Sequence, residues 1–236
     1  MPGIFLTADW RNLLMVNYVV DPNILAKYLP RGTELDLWQG RAYVSIVGFR
    51  FLKTKVLGVP IPFHRDFDEV NLRFYVRRLV QGEWRRGVVF IKEIVAKRAI
   101  SFVARTVYNE NYVRHPMRSA LQIPGKVQYE WQVEGRWESV SAQVQGEPVL
   151  PAPEAEATFI TEHYWGYARQ RDGGTKEYAV EHPQWGIYSC SEPRLSCDIS
   201  QLYGAEFAPF LQEQPSSVFM ADGSAVSVRH GTRLTS

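Results

Sequence analysis

The run P-I-P-F-H-R-D-F-D-E-V-N-L-R-F-Y-V-R-R-L-V, Pro60 to Val80, decides the fold together with G-V-V-F-I-K-E-I-V-A-K-R, Gly87 to Arg98. From Glu69 onward the residues alternate. Val70, Leu72, Phe74 and Val76 fall on one side, and Asn71, Arg73, Tyr75 and Arg77 on the other. A period of two belongs to a strand whose faces meet different environments. Glu83-Trp84-Arg85-Arg86-Gly87 breaks the pattern and Val88 to Val95 resumes it, with Lys92 and Glu93 on opposite faces. Two such strands, with polar groups in their middles as well as at their ends, suit the wall of a barrel whose interior is partly polar.

Outward from this pair, Asn12 to Val20 and Arg41 to Phe51 read as further strands. Between them Asp21-Pro22 opens a short helix through Leu29, because a capping carboxylate and a proline both suit amides that lack partners. Thr54 to Phe67 reads as a Gly- and Pro-rich connection carrying His64. Ala99 to Tyr108 changes to helical spacing, and Val127–Val133 with Trp137–Val144 forms a hairpin about Glu134-Gly135. Gly146 to Pro153 reads as a linker, Glu154 to Ala168 as a helix, and Tyr178–Val180 and Trp185–Ser189 as strands. A short helix is expected at Glu206 to Gln212. A second hairpin is expected at Asp222-Gly223, between Ser217–Met220 and Ala225–Arg229. With no internal repeat or low-complexity tail, residues 1–236 are expected to form one domain.

Composition narrows the function classes. The aromatic fraction of 13% favours pleated, half-buried surfaces. A net charge of +2 gives no general argument for nucleic acid or membrane as partner. No apolar run reaches the length of a membrane span. Met1-Pro2-Gly3-Ile4-Phe5 lacks the basic start of a secretory signal, so a cytoplasmic location is expected. The two cysteines, Cys190 and Cys197, are too few for a disulfide framework and fit no standard zinc spacing. A P-loop, a dinucleotide glycine motif and a serine nucleophile elbow are all absent from the sequence. No cofactor or metal is therefore expected, and the partner is a small-molecule ligand, with a homo-oligomer left open.

The candidates for chemistry are Arg11, His64, Glu69, Arg73, Lys92, Glu93, Lys97 and Arg98. Charged strand residues also suit a solvated sheet face, and His64 between Phe63 and Arg65 suits a turn. A lysine becomes nucleophilic when burial or a neighbouring cation disfavours its ammonium form. Lys97-Arg98 offers that neighbour, just past the strand carrying Glu93; the plainer alternative is a basic turn.

At these residues the chain resembles the uncharacterised YqjF-like bacterial proteins, a domain-of-unknown-function family. The resemblance is carried by W-R-N-L-L-M-V-N-Y-V-V-D-P (Trp10 to Pro22), L-P-R-G-T-E-L-D (Leu29 to Asp36) and Y-V-S-I-V-G-F (Tyr43 to Phe49). It continues through Gly58 to Val76, G-V-V-F-I-K-E-I-V (Gly87 to Val95) and the ending S-V-F-M-A-D-G-S-A-V-S-V (Ser217 to Val228). That family is similar to the acetoacetate decarboxylase superfamily. The resemblance implies a mainly β (α+β) chain: a closed, cone-like antiparallel β-barrel with a few peripheral short helices and an internal ligand cavity.

It also implies a site. Decarboxylases of that superfamily use a Schiff-base lysine beside a second lysine, an arginine near the N-terminus, and glutamates. Lys97 falls near the first position, Arg98 stands where the second cation would be, and Arg11 matches the N-terminal arginine. Ser45 occupies roughly the place of one glutamate. The implied roles are an imine on Lys97, pKa depression by Arg98, carboxylate binding by Arg11, and proton transfer by Glu69 or Glu93. Arg73, Asn71, His64 and Ser45 complete the substrate-contacting set. A non-catalytic binding protein on the same barrel is the alternative, its aromatic cavity oriented by Arg73 and Asn71.

Overall fold

The computed structural model describes residues 2–60, 62–63, 65–96 and 112–234. In chain order the strands are β1 (Ile4–Val20), β2 (Glu34–Leu35), β3 (Ala42–Val56), β4 (Val59–Pro60), β5 (Phe67–Val80), β6 (Glu83–Val95), β7 (Tyr112–Arg114) and β8 (Met117–Leu121). They continue as β9 (Gly125–Val133), β10 (Arg136–Val149), β11 (Trp165–Arg169), β12 (Thr175–Glu181), β13 (Ile187–Ser196), β14 (Ser217–Arg229) and β15 (Thr232–Arg233). Helical segments are short: Pro22–Tyr28, Glu156–Thr161, Ile199–Leu202, Ala205–Phe207 and Ala208–Leu211. The first is a 3-10 turn opened by Asp21, whose carboxylate accepts from the Asn23 amide at 2.9 Å.

Pairing runs β12–β11–β6–β5–β3–β1–β14, and β14 returns to β12 through Val180 opposite Val228 and Glu181 opposite Ser227. The sheet is thus a ring of pairings. β14 also leads outward through β13, β10, β9 and β8 to a second layer. The expected all-antiparallel wall needs correction at β6, because β11 lies parallel to it, with Trp165 opposite Gly87 and Gly166 opposite Val88, and so does β7. The chain passes through β7 to β10 between β6 and β11, which supplies the long crossover that a parallel neighbour needs.

β1, β3 and β5 are buried on both faces, and their period of two sorts residues into two cores. Leu14, Val16, Ile46, Val70, Leu72 and Phe74 join Tyr129 and Trp131 between the ring and the second layer. Met15, Tyr43, Val47, Phe49, Phe51 and Tyr75 fill the ring's inner side. Gly48 marks the tightest approach between the layers, since a Cβ there would lie 2.5 Å from Tyr129 Cδ2. Gly48→Ala is expected to cost about 1–3 kcal/mol through overpacking, read as a lower urea midpoint with unchanged m. An unaltered midpoint would mean that Tyr129 moves aside freely.

Four local expectations give way to tertiary pairing. Ser217–Arg229 is one continuous strand instead of a hairpin at Asp222-Gly223. Gly223 sits at φ +86°, opposite Arg11, where a side chain would collide with the Trp10 carbonyl oxygen at 2.0 Å. Glu154 to Ala168 splits into the Glu156–Thr161 helix and β11, because Gly166 leaves room for the Tyr178 ring against the strand. The linker expected from Gly146 contributes its first residues to β10, and β3 runs on past Phe51 to Val56. The helix expected at Ala99–Tyr108 lies outside the described residues. Cys190 and Cys197 are free thiols, and burial pushes both up to about 12.

Candidate active site

Glu69, Asn71, Arg73 and Tyr75 alternate along β5 and are all buried. Glu93 stands across from Asn71 on β6. The register then slips by one residue, so that Leu72 meets Lys92 while Arg73 meets Phe90. Strict alternation would put Phe90 with Lys92; the bulge at Ile91 instead lets both Glu93 and Phe90 reach the same cavity. Lys92, on the other face, is half-buried, and burial lowers its pKa.

The cavity has a volume of about 110 Å³, several times the roughly 10–15 Å³ that holds one water by the same measure. Its wall is chiefly aromatic, with Trp10, Phe49, Phe51, Phe67, Phe90 and Trp165 prominent, and its polar members are Glu69, Glu93, Tyr112, His163 and His182. Glu69 and Glu93 are only 2% and 1% exposed. Glu69 Oε1 accepts from Asn71 Nδ2 at 2.9 Å, and the Tyr112 hydroxyl donates to Glu69 Oε2 at 3.3 Å. Tyr112 reaches this carboxylate because β7 lies parallel beside β6, with Tyr112 opposite Glu93.

Arg73 brings a buried guanidinium to the same side. Its Nη2 lies 3.9 Å from Met15 Sδ and its Cζ 5.7 Å from the Tyr75 ring centroid. Its Nε has no hydrogen-bond partner. Its charge is felt by both cavity histidines. His163 is fully buried, which drives it down to about 4; the Asp36 hydrogen bond opposes the shift, while Arg86 and Arg73 add to it. Asp36 accepts from Arg86 Nε at 2.6 Å and meets His163 Nε2 at 3.1 Å. Burial alone would raise Asp36, but the His163 and Arg86 hydrogen bonds outweigh it and hold the carboxyl below its ordinary value. His182 is stacked on Trp185 at 4.0 Å and its Nδ1 donates to the Pro183 carbonyl oxygen at 2.9 Å. Burial lowers it to about 4 as well, against that hydrogen bond and with help from Arg73.

The structure thus brings together Glu69, Asn71, Arg73 and Glu93 of the residues singled out in the sequence. Arg11 is turned elsewhere: its Nη1 donates to the Gly223 carbonyl oxygen at 3.0 Å and meets Asp222 at 3.4 Å. Ser45 is sealed in a network, its Oγ bonded to Asn17 Oδ1 and to the Tyr75 hydroxyl, both at 2.6 Å. Asn17 passes this network on to Ser217, which donates to Glu156, the acceptor also of the Tyr43 hydroxyl. His64, Lys97 and Arg98 lie outside the described residues. Tyr112, His163, His182, Asp36 and Arg86 were not among the sequence candidates. Among the described residues no cluster of three or more His, Cys, Asp or Glu has the geometry to hold a metal ion. None of their helices is long and apolar enough to cross a membrane.

Residues 7–225 match the model of a family described as "DUF2071: Uncharacterized conserved protein (COG2071)". The chain belongs to the DUF2071 family. This DUF2071 chain is 31% identical to "Uncharacterized protein YqjF" of Bacillus subtilis (strain 168) over 119 residues, 50% of the chain and 48% of that protein. The match therefore spans about half the length of that curated relative. Among solved structures the chain is similar to acetoacetate decarboxylase from Legionella pneumophila, with TM-score 0.69, 15% identity, and coverage of 99% of this chain and 88% of that one. It is similar also to an acetoacetate decarboxylase-like enzyme from Sphingomonas wittichii RW1, with TM-score 0.69, 14% identity and coverage of 98% and 94%. A third is the enduracididine biosynthesis enzyme MppR complexed with pyruvate, with TM-score 0.66, 16% identity and coverage of 100% and 91%. At these identities the DUF2071 chain shares their fold, a mainly β acetoacetate decarboxylase-like architecture.

Proposed function

We propose that the cavity binds a small carboxylic acid bearing a carbonyl group, and that the protein transforms it through an imine on Lys97. The observation that carries this reading is that Arg73, Glu69 and Glu93 are all buried on the same side of the β5–β6 pair, the two carboxylates lining an aromatic chamber. Arg73 has no ion-pair partner among the described residues, and a ligand carboxylate supplies one. Arg73 takes the role that the resemblance suggested for Arg11, since Arg11 is engaged with Asp222. Lys97 follows the end of β6 by two residues, and Arg98 beside it favours the free amine. Attack of that amine on the carbonyl expels water and leaves an iminium, and loss of carbon dioxide from a 3-oxo acid, or of a proton from the carbon beside the iminium, gives an enamine. Glu69 or Glu93 then returns a proton to the enamine. The ring of pairings closing into a cone-like barrel keeps bulk water from these steps. That the neighbour MppR was solved with pyruvate supports the choice of ligand class.

A protein that binds the acid without forming an imine is the second reading. The observation favouring it is Ser45, which is closed into its network where the resemblance would place a glutamate. Borohydride treatment with a panel of 2- and 3-oxo acids, followed by peptide mass mapping, separates the two. A ligand-dependent addition on Lys97 is expected. No adduct on any lysine, while the same acids still raise the melting temperature, would leave the binding protein.

A further inference from the structure

His163 joins an oriented dyad to an unused acceptor. Its Nε2 faces Asp36 Oδ2 at 3.1 Å, and Arg86 Nε holds that same oxygen at 2.6 Å. An ionised carboxylate only accepts, so Nε2 carries the hydrogen and Nδ1 keeps its lone pair. The His163 side chain is 1% exposed and lines the cavity, yet Nδ1 has no hydrogen-bond partner. Tyr75, at 4.7 Å between ring centroids, and Phe159, at 5.1 Å, hold the imidazole plane in place. A buried acceptor without a partner costs free energy unless a ligand donates to it. Asn71 Oδ1 is a second such acceptor, while Arg73 offers a cation.

We propose that His163 Nδ1 is the ligand's hydrogen-bond acceptor, so that the cavity selects carboxylates carrying a hydroxyl, either a hydroxylated oxo acid or the enol of an oxo acid. This rests on the small-carboxylate reading above and narrows its substrate class. Arg73 meets the carboxylate, and the hydroxyl donates to the imidazole that Asp36 orients. Burial, which keeps the ring neutral near neutral pH, leaves the lone pair available.

The test uses the full chain and the matched probes lactate and propionate, which share a carboxylate, differ in the hydroxyl donor and, having no carbonyl, cannot form the Lys97 imine. Calorimetric titration of the wild type is expected to give about tenfold tighter binding of lactate, the worth of one hydrogen bond to a buried acceptor. His163→Gln keeps an N–H for Asp36 and offers nothing near Nδ1, and should abolish the preference. His163→Asn places a carbonyl oxygen near Nδ1 and should restore part of it. Nitrogen NMR of the unliganded protein should show a bare Nδ1 and a protonated Nε2 on His163. A protonated Nδ1, or equal binding of both probes that His163→Gln leaves unchanged, overturns the His163 assignment while the carboxylate reading stands. Binding of neither probe overturns both.

Discussion

Acidification from pH 6.5 to 4 is expected to remove about 3 kcal/mol of folding stability through His163 alone. The ring is buried in an aromatic setting beside two cations, Arg86 and Arg73, and only Asp36 favours its protonated form. Its folded pKa of about 4 lies below the ordinary 6.5. Between those values the unfolded chain takes up a proton that the folded chain refuses. Stability contributed by the neutral ring is therefore complete above 6.5, falls as pH drops, and is exhausted near 4. His182 moves in the same direction and adds to the slope. Asp36, held below its ordinary value, remains ionised through this window and begins to matter only lower. Urea unfolding at a series of pH values measures the slope, and in His163→Gln it should fall by about one proton. Identical slopes in the two proteins would place the His163 ring in contact with water or in its charged form.

The same residues show how far the sequence could be read. The inward set on β5 was legible because the pleat is local: a strand with Val70, Leu72 and Phe74 in one core must turn Glu69, Asn71 and Arg73 the other way. Glu93 was legible as opposite to Lys92, but its grouping with Phe90 depends on a bulge at Ile91 that no residue in G-V-V-F-I-K-E-I-V announces. Asp36 and His163 are 127 residues apart and meet only after β2 pairs with β5 and the chain returns past the Glu156–Thr161 helix. No spacing rule spans that distance, so the dyad escaped notice. Asp222-Gly223 carries the local chemistry of a turn, but ladder pairing of β14 with β1 on both sides of Gly223 outweighs it. The family resemblance, carried by long runs of residues, foresaw the architecture where single segments misled. It implied carboxylate binding by Arg11, which the structure pairs with Asp222.

Arg73→Met is expected to stabilise the unliganded protein while abolishing carboxylate binding. Arg73 is 9% exposed and its Nε has no hydrogen-bond partner, so the folded state bears most of the cost of removing a cation from water. Methionine replaces the guanidinium beside Met15 and Tyr75 with an apolar thioether and removes that cost, for a gain of about 1–3 kcal/mol. For a chain of this length each kcal/mol raises the melting temperature by about 2–4 °C. The loss on the ligand side is larger, because truncating one partner of a buried charge-assisted pair costs about 2–5 kcal/mol, roughly thirtyfold to several-thousandfold in affinity. Opposite signs for stability and binding are the mark of a group retained for function, since a structural arginine loses both when removed. Thermal unfolding and titration with lactate or propionate on the same preparation read the two effects together. A lower melting temperature for the variant would show that Arg73 is satisfied by the protein itself, and the carboxylate anchor would have to be sought elsewhere.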